Sequence, residues 1–352
     1  MRREIVRMIC LVAFGVLGGG LGRAIAGDSY WSNTGGGIFS VGGNWIGGVP
    51  GAQDNAHFRS NATYAVTWMA DATNTDAKFS APGGTVTLDI GSGNTWALTN
   101  ALSIGTNAGA NASVSQTSGT MLISNAAGTA AMSVSAPGGI GRFEAKGGAQ
   151  IAANLFTLRD NGAITVKEGA KFRTDQADLG HWNGGNWNTI TISDANSEWT
   201  ALGNTPLGGY WGAYDTLVVS NGGRMTVVNG NGGGSSHYST MVVTGTGTVY
   251  SCDKVFYING TLNTVTVSDG ALLKSSAGGS SYFQFYAGPI NSTVLVTDPG
   301  TIFTNNGWMY FSGNWGPEGG NRFIVSNGAA AYSTGPVMIQ GSSVVPSSNV
   351  LM

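Results

Sequence analysis

The chain has 352 residues, of which 58 are glycine, 9 are proline and only 10% are charged, and its formal net charge is −2. Hydrophobic residues make up 41%, enough to bury a core, which argues against a disordered polar chain. The weak charge argues against general affinity for nucleic acid or anionic lipid, and no long stretch has helical apolar periodicity, so an all-β protein is predicted.

The first predicted element is an export signal. Three arginines precede an apolar run, Met8 to Leu17, and the small residues after it end in an A-x-A pattern at Ala26. This pattern predicts a secretory signal peptide over residues 1–26; a membrane anchor is the alternative, but the run is short for a bilayer. Removing four arginines and one glutamate from 16 basic and 18 acidic residues leaves 12 and 17, a net charge of −5. We expect an exported bacterial protein, extracellular or on the outer cell surface, without a membrane span after cleavage.

Residues 27–80 precede the clear repeat and are predicted to form an N-terminal cap or the opening rungs. A stack of strands leaves an open edge at each end, so a covering segment is expected. The aromatic residues of this segment are Trp31, Phe39, Trp45 and Trp68.

Residues 81–352 contain a repeat whose units share an apolar anchor followed by alternating residues. Ten anchors follow one another at an average spacing of about 26 residues: Val86, Val114, Phe143, Ile164, Ile190, Leu217, Met241, Val265, Val294 and Phe323. Such a unit cannot bury its own apolar face but can do so when stacked, which predicts a right-handed parallel β-helix (β-solenoid) of about ten coils. An antiparallel sandwich or a propeller is the alternative, although propeller blades need about 40–50 residues.

The last residues resemble the start of an eleventh unit. Asn349 lies 26 residues after Phe323 and begins another apolar segment. The sequence therefore predicts either a chain cut short at its C-terminus or a last coil that pairs with a partner.

Polar residues recur at fixed positions around the anchors and predict turns. Two residues before the anchor are Asn188, Asp215, Asn263 and Asn321, and four residues after it are Asp194, Asn221, Asp269, Asp298 and Asn327. Glycine often follows the second group, and Asp-Gly or Asn-Gly favours a tight turn. These side chains are expected to hydrogen-bond between coils.

The segment from Ser29 to Phe58 resembles the start of a class of exported bacterial proteins, the autotransporter-like β-helix passengers with autotransporter-associated β-strand repeats. The residues that carry the resemblance are Trp31, Asn44, Trp45, Gly47, Pro50, Asp54, Ala56 and Phe58. The repeat frame x-V-x-V-S-(N/D)-G-(A/G) is similar to theirs as well. The resemblance implies surface display or secretion, often adhesion, and no catalytic residues. Complete autotransporters carry a C-terminal translocator barrel, and none is predicted within these 352 residues, so export by that route is expected only if the chain is truncated.

No strong catalytic, metal or cofactor motif is present, so neither a metal nor a cofactor is predicted. The best polar cluster consists of Arg173, Asp175, Asp178 and His181. Paired carboxylates beside a basic residue could cleave a polysaccharide by acid–base catalysis. A solvated turn between two coils is the favoured interpretation. Cys252, the single cysteine after residue 26, is predicted to pack as a small hydrophobic residue.

Aromatic residues recur eight positions before an anchor and predict a ladder along the solenoid axis. The members are Phe156, Trp182, Tyr257, Tyr286 and Trp315, with Tyr210 displaced by one position. Such a ladder would form a core stack if buried and a sugar-binding surface if exposed. The candidates for glycan contact, chosen because they lie among glycine and asparagine, are Trp182, Trp187, Tyr210, Trp211 and Trp315.

The sequence favours a secreted or surface-displayed structural and adhesive solenoid without catalysis. A carbohydrate-binding or polysaccharide-cleaving β-helix is the first alternative. A stalk or fragment that carries a functional domain elsewhere is the second. The expected partners are glycans or the surfaces of host or neighbouring cells.

Overall fold

The computed structural model describes residues 26–179, 187–203, 213–235, 237–275, 282–285, 291–311, 319–338 and 350–351. The predicted signal peptide therefore lies outside the described residues except for Ala26. The described residues form short strands and one 3-10 turn at Gly42–Asn44, and they contain no α-helix.

The strands are described here in chain order. They are β1 (Asp28–Trp31), β2 (Gly37–Ile38), β3 (Trp45–Ile46), β4 (Asn55–Phe58), β5 (Tyr64–Thr67), β6 (Ala72–Phe79), β7 (Thr85–Asp89), β8 (Thr95–Ile104), β9 (Asn111–Ser118), β10 (Thr120–Ile123), β11 (Ala131–Val134), β12 (Ile140–Ala145), β13 (Gln150–Leu158), β14 (Ala163–Val166), β15 (Lys171–Leu179), β16 (Thr189–Ser193), β17 (Glu198–Ala201), β18 (Thr216–Ser220), β19 (Arg224–Val227), β20 (Gly232–Ser235), β21 (Thr240–Thr244), β22 (Val249–Cys252), β23 (Phe256–Asn259), β24 (Thr264–Ser268), β25 (Leu272–Ser275), β26 (Tyr282–Phe285), β27 (Thr293–Val296), β28 (Ile302–Asn305), β29 (Trp308–Tyr310), β30 (Arg322–Val325), β31 (Ala330–Ser333), β32 (Val337–Met338) and β33 (Val350–Leu351).

Three sheets run along the molecule. Sheet A has 15 strands in the order β3-β1-β4-β6-β8-β10-β13-β15-β17-β19-β22-β25-β28-β31, with β11 between parts of β8 and β13. Sheet B has 13 strands in the order β2-β5-β7-β9-β12-β14-β16-β18-β21-β24-β27-β30-β33, and sheet C has the order β20-β23-β26-β29-β32. The chain alternates between sheets A and B, with sheet C added from β20 onward, and apart from β3 each strand pairs in parallel with its counterpart one coil away. The predicted β-solenoid of about ten turns of roughly 26 residues is confirmed.

The predicted anchors define the register of sheet B. Ile190 lies opposite Leu217, Leu217 opposite Met241, and Met241 opposite Val265. The same alignment holds for every successive pair of predicted anchors from Val86 to Phe323. Because strand side chains alternate with period two, this register points all the anchors into one core.

The Asp and Asn residues four positions after the anchors lie in turns, as predicted. Asp194, Asn221, Asp269, Asp298 and Asn327 all have positive φ values, between 50° and 78°. Asparagine and aspartate tolerate this conformation better than most residues. The Asp269 carboxylate accepts a hydrogen bond from the Thr244 hydroxyl of the preceding coil at 2.7 Å, so it ties two turns together.

The N-terminal strands stack in the same sheets as the repeat. Strand β4 pairs in parallel with β1 and with β6, whereas β3 pairs antiparallel with β1 and lies at the end of sheet A. The rings of Trp31 and Trp45 meet edge to face with centroids 5.1 Å apart, and both are buried.

Side-chain hydrogen bonds stabilise the loops at the N-terminal end of the solenoid. The side-chain oxygen of Asn44 accepts a hydrogen bond from the side-chain amide of Asn33. The side-chain amide of Asn44 in turn donates a hydrogen bond to the backbone carbonyl of Ile38. The Asp54 carboxylate accepts from the backbone N–H groups of Gly27 and Gly51. The residues that carry the sequence resemblance therefore lie in the first coil and at the start of the second.

Candidate functional site

Three exposed aromatic side chains form a stack on one corner of the solenoid, which we call the aromatic ladder. Trp187, Tyr214 and Tyr238 each lie three residues before an anchor, in three consecutive coils. The Trp187 and Tyr214 rings lie 5.2 Å apart at 6°, and the Tyr214 and Tyr238 rings lie 5.0 Å apart at 11°. Their exposed fractions are 56%, 45% and 46%, so all three reach solvent.

The backbone conformation explains why these side chains line up. All three residues have φ values between 57° and 63°, which is uncommon for residues that are not glycine. The Trp187 N–H donates to the Ala213 carbonyl, and the Tyr214 N–H donates to the His237 carbonyl. Each aromatic residue is thus fixed to the next coil by a backbone hydrogen bond, and the same turn is repeated in each coil.

A second ladder, made of polar side chains, lies directly beneath the aromatic ladder. Each member accepts a hydrogen bond from the backbone N–H of the equivalent residue in the preceding coil, at 2.8 to 3.1 Å. The members of this polar ladder are Asn188, Asp215, Ser239, Asn263, Ser292 and Asn321, all of them buried. These residues satisfy buried N–H groups at the corner, which would otherwise destabilise the fold. The recurrent Asn and Asp residues predicted to link coils include four of the six.

Asp215 is the one ionisable member of the polar ladder. Its Oδ1 accepts the Asn188 N–H at 2.8 Å, whereas its buried Oδ2 has no hydrogen-bond partner. Burial raises the pKa of Asp215 to about 7, and the negative charge of Asp160 acts in the same direction. The carboxyl group therefore changes its protonation near neutral pH, next to the aromatic ladder.

The stacking determines which ring surfaces a partner can reach. Tyr214 has a ring on each side, so both of its faces are covered and a sugar ring cannot stack on them. Trp187 and Tyr238 each have one face directed away from Tyr214. The aromatic ladder therefore offers ring edges and tyrosine hydroxyl groups, which suit contact along a line rather than enclosure of one sugar unit.

The aromatic residues eight positions before the anchors do not lie on one face of the solenoid. Phe156 is buried, whereas Tyr257 lies at an outward-facing position of β23 between the buried residues Phe256 and Ile258. Phe156 belongs to sheet A and Tyr257 to sheet C, and the two strands bury opposite members of the eight-residue count, so one ring points inward and the other outward. The prediction was therefore wrong for these two positions.

The predicted glycan contacts are only partly within the described residues. Trp187 is exposed and belongs to the aromatic ladder, together with two tyrosines that the sequence reasoning missed. The signal that would have found them is their common position three residues before an anchor. The other candidates, Trp182, Tyr210, Trp211 and Trp315, lie outside the described residues, as does Tyr286.

The carboxylates of the predicted catalytic cluster pair with different arginines. Asp175 lies 3.1 Å from Arg173 and also accepts a hydrogen bond from the Asn154 amide. Asp178 lies 3.3 Å from Arg159. Both carboxylates lie on strand β15, so the favoured interpretation of this cluster as a turn was wrong for them. Each carboxylate has its own countercharge on the surface of sheet A, and His181 lies outside the described residues.

The described part of the chain offers little metal-binding or nucleophilic chemistry. No group of three or more His, Cys, Asp or Glu side chains there could hold a metal ion. Cys252 is fully buried, as predicted, and burial raises the pKa of its thiol to about 12. None of the described segments forms a helix long and apolar enough to cross a membrane.

No protein-family model, no curated protein and no solved structure matches the chain.

Proposed function

We propose that the chain is a secreted or surface-displayed structural and adhesive β-solenoid that makes contact through its aromatic ladder. The observation that carries the proposal is the stack of Trp187, Tyr214 and Tyr238 in the solvent. Contiguous exposed aromatic surface on a folded protein is typical of an interaction site.

The geometry of the ladder suits adhesion because little flexibility is lost when it binds. Tyrosine and tryptophan provide a large contact area at a low cost in conformational entropy. Here the rings also stack on one another, and the backbone at each ring is hydrogen-bonded to the next coil. A rigid line of side chains along the axis matches an extended partner on a cell surface.

The carbohydrate-cleaving alternative lacks a comparable observation. It requires two carboxylates that act on one bond, whereas Asp175 and Asp178 are each paired with a separate arginine. Carbohydrate binding without cleavage is compatible with adhesion.

The proposal is tested with the mature chain, residues 27–352, labelled and applied to intact bacterial cells and to surfaces coated with mucin. Tyr214→Ala removes the central ring, and we expect it to weaken binding at least tenfold because the stack is interrupted. Tyr332→Ala is the matched control, since Tyr332 is 60% exposed but lies on sheet A outside the ladder. Equal binding by the two variants, or no binding by the unaltered chain to either surface, would contradict the proposal.

A further inference from the structure

A shallow groove lies on the outer face of sheet A, away from the aromatic ladder. Its volume is about 310 Å³, at the lower end of the range of roughly 300–1,000 Å³ found for small-molecule sites. It crosses strands β10, β13, β15 and β17. The outward side chains that define it are Thr120, Gln150, Ala152, Lys171, Arg173 and Glu198.

The depression arises from one short side chain among long ones. Ala152 lies opposite Leu122 on one neighbouring strand and Arg173 on the other. The outward side chains at Gln150 and Lys171 are also long, so the methyl group of Ala152 lies below its surroundings. The floor of the groove is therefore apolar, because the aliphatic stems of lysine and arginine also face it.

Each basic side chain that lines the groove has a carboxylate partner. Lys171 lies 3.1 Å from Glu198, whose carboxylate also accepts a hydrogen bond from the Thr200 hydroxyl at 3.0 Å. Burial acts to raise the pKa of Glu198, but the hydrogen bonds from Lys171 and Thr200 outweigh it and the pKa is lowered. Arg173 is paired with Asp175 at 3.1 Å. A bound anion would face the Glu198 carboxylate, and the two basic side chains of the lining, Lys171 and Arg173, already have carboxylate partners, so the groove favours an uncharged ligand.

Several polar groups at the rim remain available for a ligand. The Gln150 side-chain amide and the Thr120 hydroxyl form no hydrogen bond with the described part of the protein. Arg173 contacts Asp175 through one terminal nitrogen and has further N–H donors, since a guanidinium carries five. Donors and acceptors therefore surround an apolar floor.

We propose that this groove binds an uncharged glycan segment. A sugar unit has apolar C–H faces and a rim of hydroxyl groups, each of which both donates and accepts hydrogen bonds. The apolar floor matches the first feature, and Gln150, Thr120 and Arg173 match the second. The inference rests on the proposed adhesive function, because it names a chemical class of surface partner, but it assigns the contact to a separate face.

The test is affinity electrophoresis of the mature chain in gels that contain dextran, a soluble β-glucan or a galactomannan, with polygalacturonate as the charged comparison. Ala152→Arg fills the groove from an outward position without changing the core, and we expect it to abolish retardation or weaken it at least tenfold. Thr304→Arg adds the same charge at an outward position of β28 on the same sheet and should leave retardation unchanged. Gln150→Ala should weaken retardation about threefold.

The inference is overturned if none of the three neutral polysaccharides retards the chain, if Ala152→Arg and Thr304→Arg behave alike, or if polygalacturonate retards it most strongly. Tyr214→Ala separates this result from the adhesive proposal. If the groove binds glycan, that variant keeps its retardation in these gels. Loss of cell adhesion by Tyr214→Ala, combined with no retardation of the unaltered chain, would reject the groove and keep the ladder.

Discussion

Replacement of Asp215 by asparagine is expected to stabilise the protein at and above neutral pH. Asp215 is the only ionisable residue of the polar ladder, and one of its buried oxygens has no hydrogen-bond partner. Burial raises its pKa from 3.8 to about 7, with a further contribution from Asp160. The folded state therefore binds the proton more tightly than the unfolded state does, and ionisation destabilises the fold.

The sign and size of the effect follow from this shift. Below pH about 4 the carboxyl group of Asp215 is protonated in both states, so its ionisation costs nothing. Between pH about 4 and 7 the free energy of unfolding falls, and above pH 7 the loss is complete. One pKa unit corresponds to 1.36 kcal/mol, so a shift of about three units amounts to at most about 4 kcal/mol. We expect Asp215→Asn to raise the free energy of unfolding by about 2–4 kcal/mol at pH 8 and to change it very little at pH 4.

The assay is urea unfolding of the mature chain and the variant, followed by tryptophan fluorescence at several pH values from 4 to 8.5. The difference between the two curves isolates this one group. Asn263→Asp is the matched control, because it places a carboxyl group at the same ladder position two coils away, where the side chain also accepts a buried N–H. It should destabilise the protein at pH 8 and much less at pH 4. Parallel stability curves for Asp215→Asn and the unaltered chain would refute the reasoning.

Three further predictions concern the packing of coils and are checked by the same unfolding measurements at pH 7. Gly84→Ala should lower the free energy of unfolding by about 2 kcal/mol or more, because φ is 82° there and a Cβ would collide with the Ala62 carbonyl. Gly43 has open space around it, so Gly43→Ala should leave the free energy of unfolding nearly unchanged. Trp199→Ala should lower the free energy of unfolding by about 3–5 kcal/mol, since the ring is fully buried. A smaller loss would mean that the core closes around the cavity left by the ring. Thr248→Val should cost about 1–3 kcal/mol because it leaves a backbone N–H of the preceding coil unpaired, and an unchanged midpoint would exclude that role.

The coil register was predictable because two periods agree in the sequence. Apolar residues such as Val265 and Val267 alternate with period two, and the whole motif returns after about 26 residues. Turn residues add a third signal, since Asp269 precedes Gly270 where the chain needs positive φ at both positions. Each of these signals is local, and stacking repeats the local solution in every coil.

The two proposed contact surfaces were less predictable because they combine residues from separate coils. The aromatic ladder depends on a left-handed backbone at Trp187, Tyr214 and Tyr238, which no composition rule requires of aromatic residues. Counting eight residues before an anchor failed because the count reaches an inward position of sheet A at Phe156 and an outward position of sheet C at Tyr257. The groove at Ala152 depends on differences in side-chain length across neighbouring strands.

The stacking of equivalent positions underlies both the aromatic ladder and the groove, and a disulfide-trapping experiment measures it directly. Thr216 and Thr240 lie opposite each other on adjacent parallel strands and face outward, whereas Thr264 lies one coil further. Neighbouring strands are about 4.8 Å apart, so cysteines at 216 and 240 meet the distance that a disulfide needs. We predict complete crosslinking of the 216/240 pair on mild oxidation and none of the 216/264 pair. Failure of the first pair, or crosslinking of the second, would contradict the solenoid register described here.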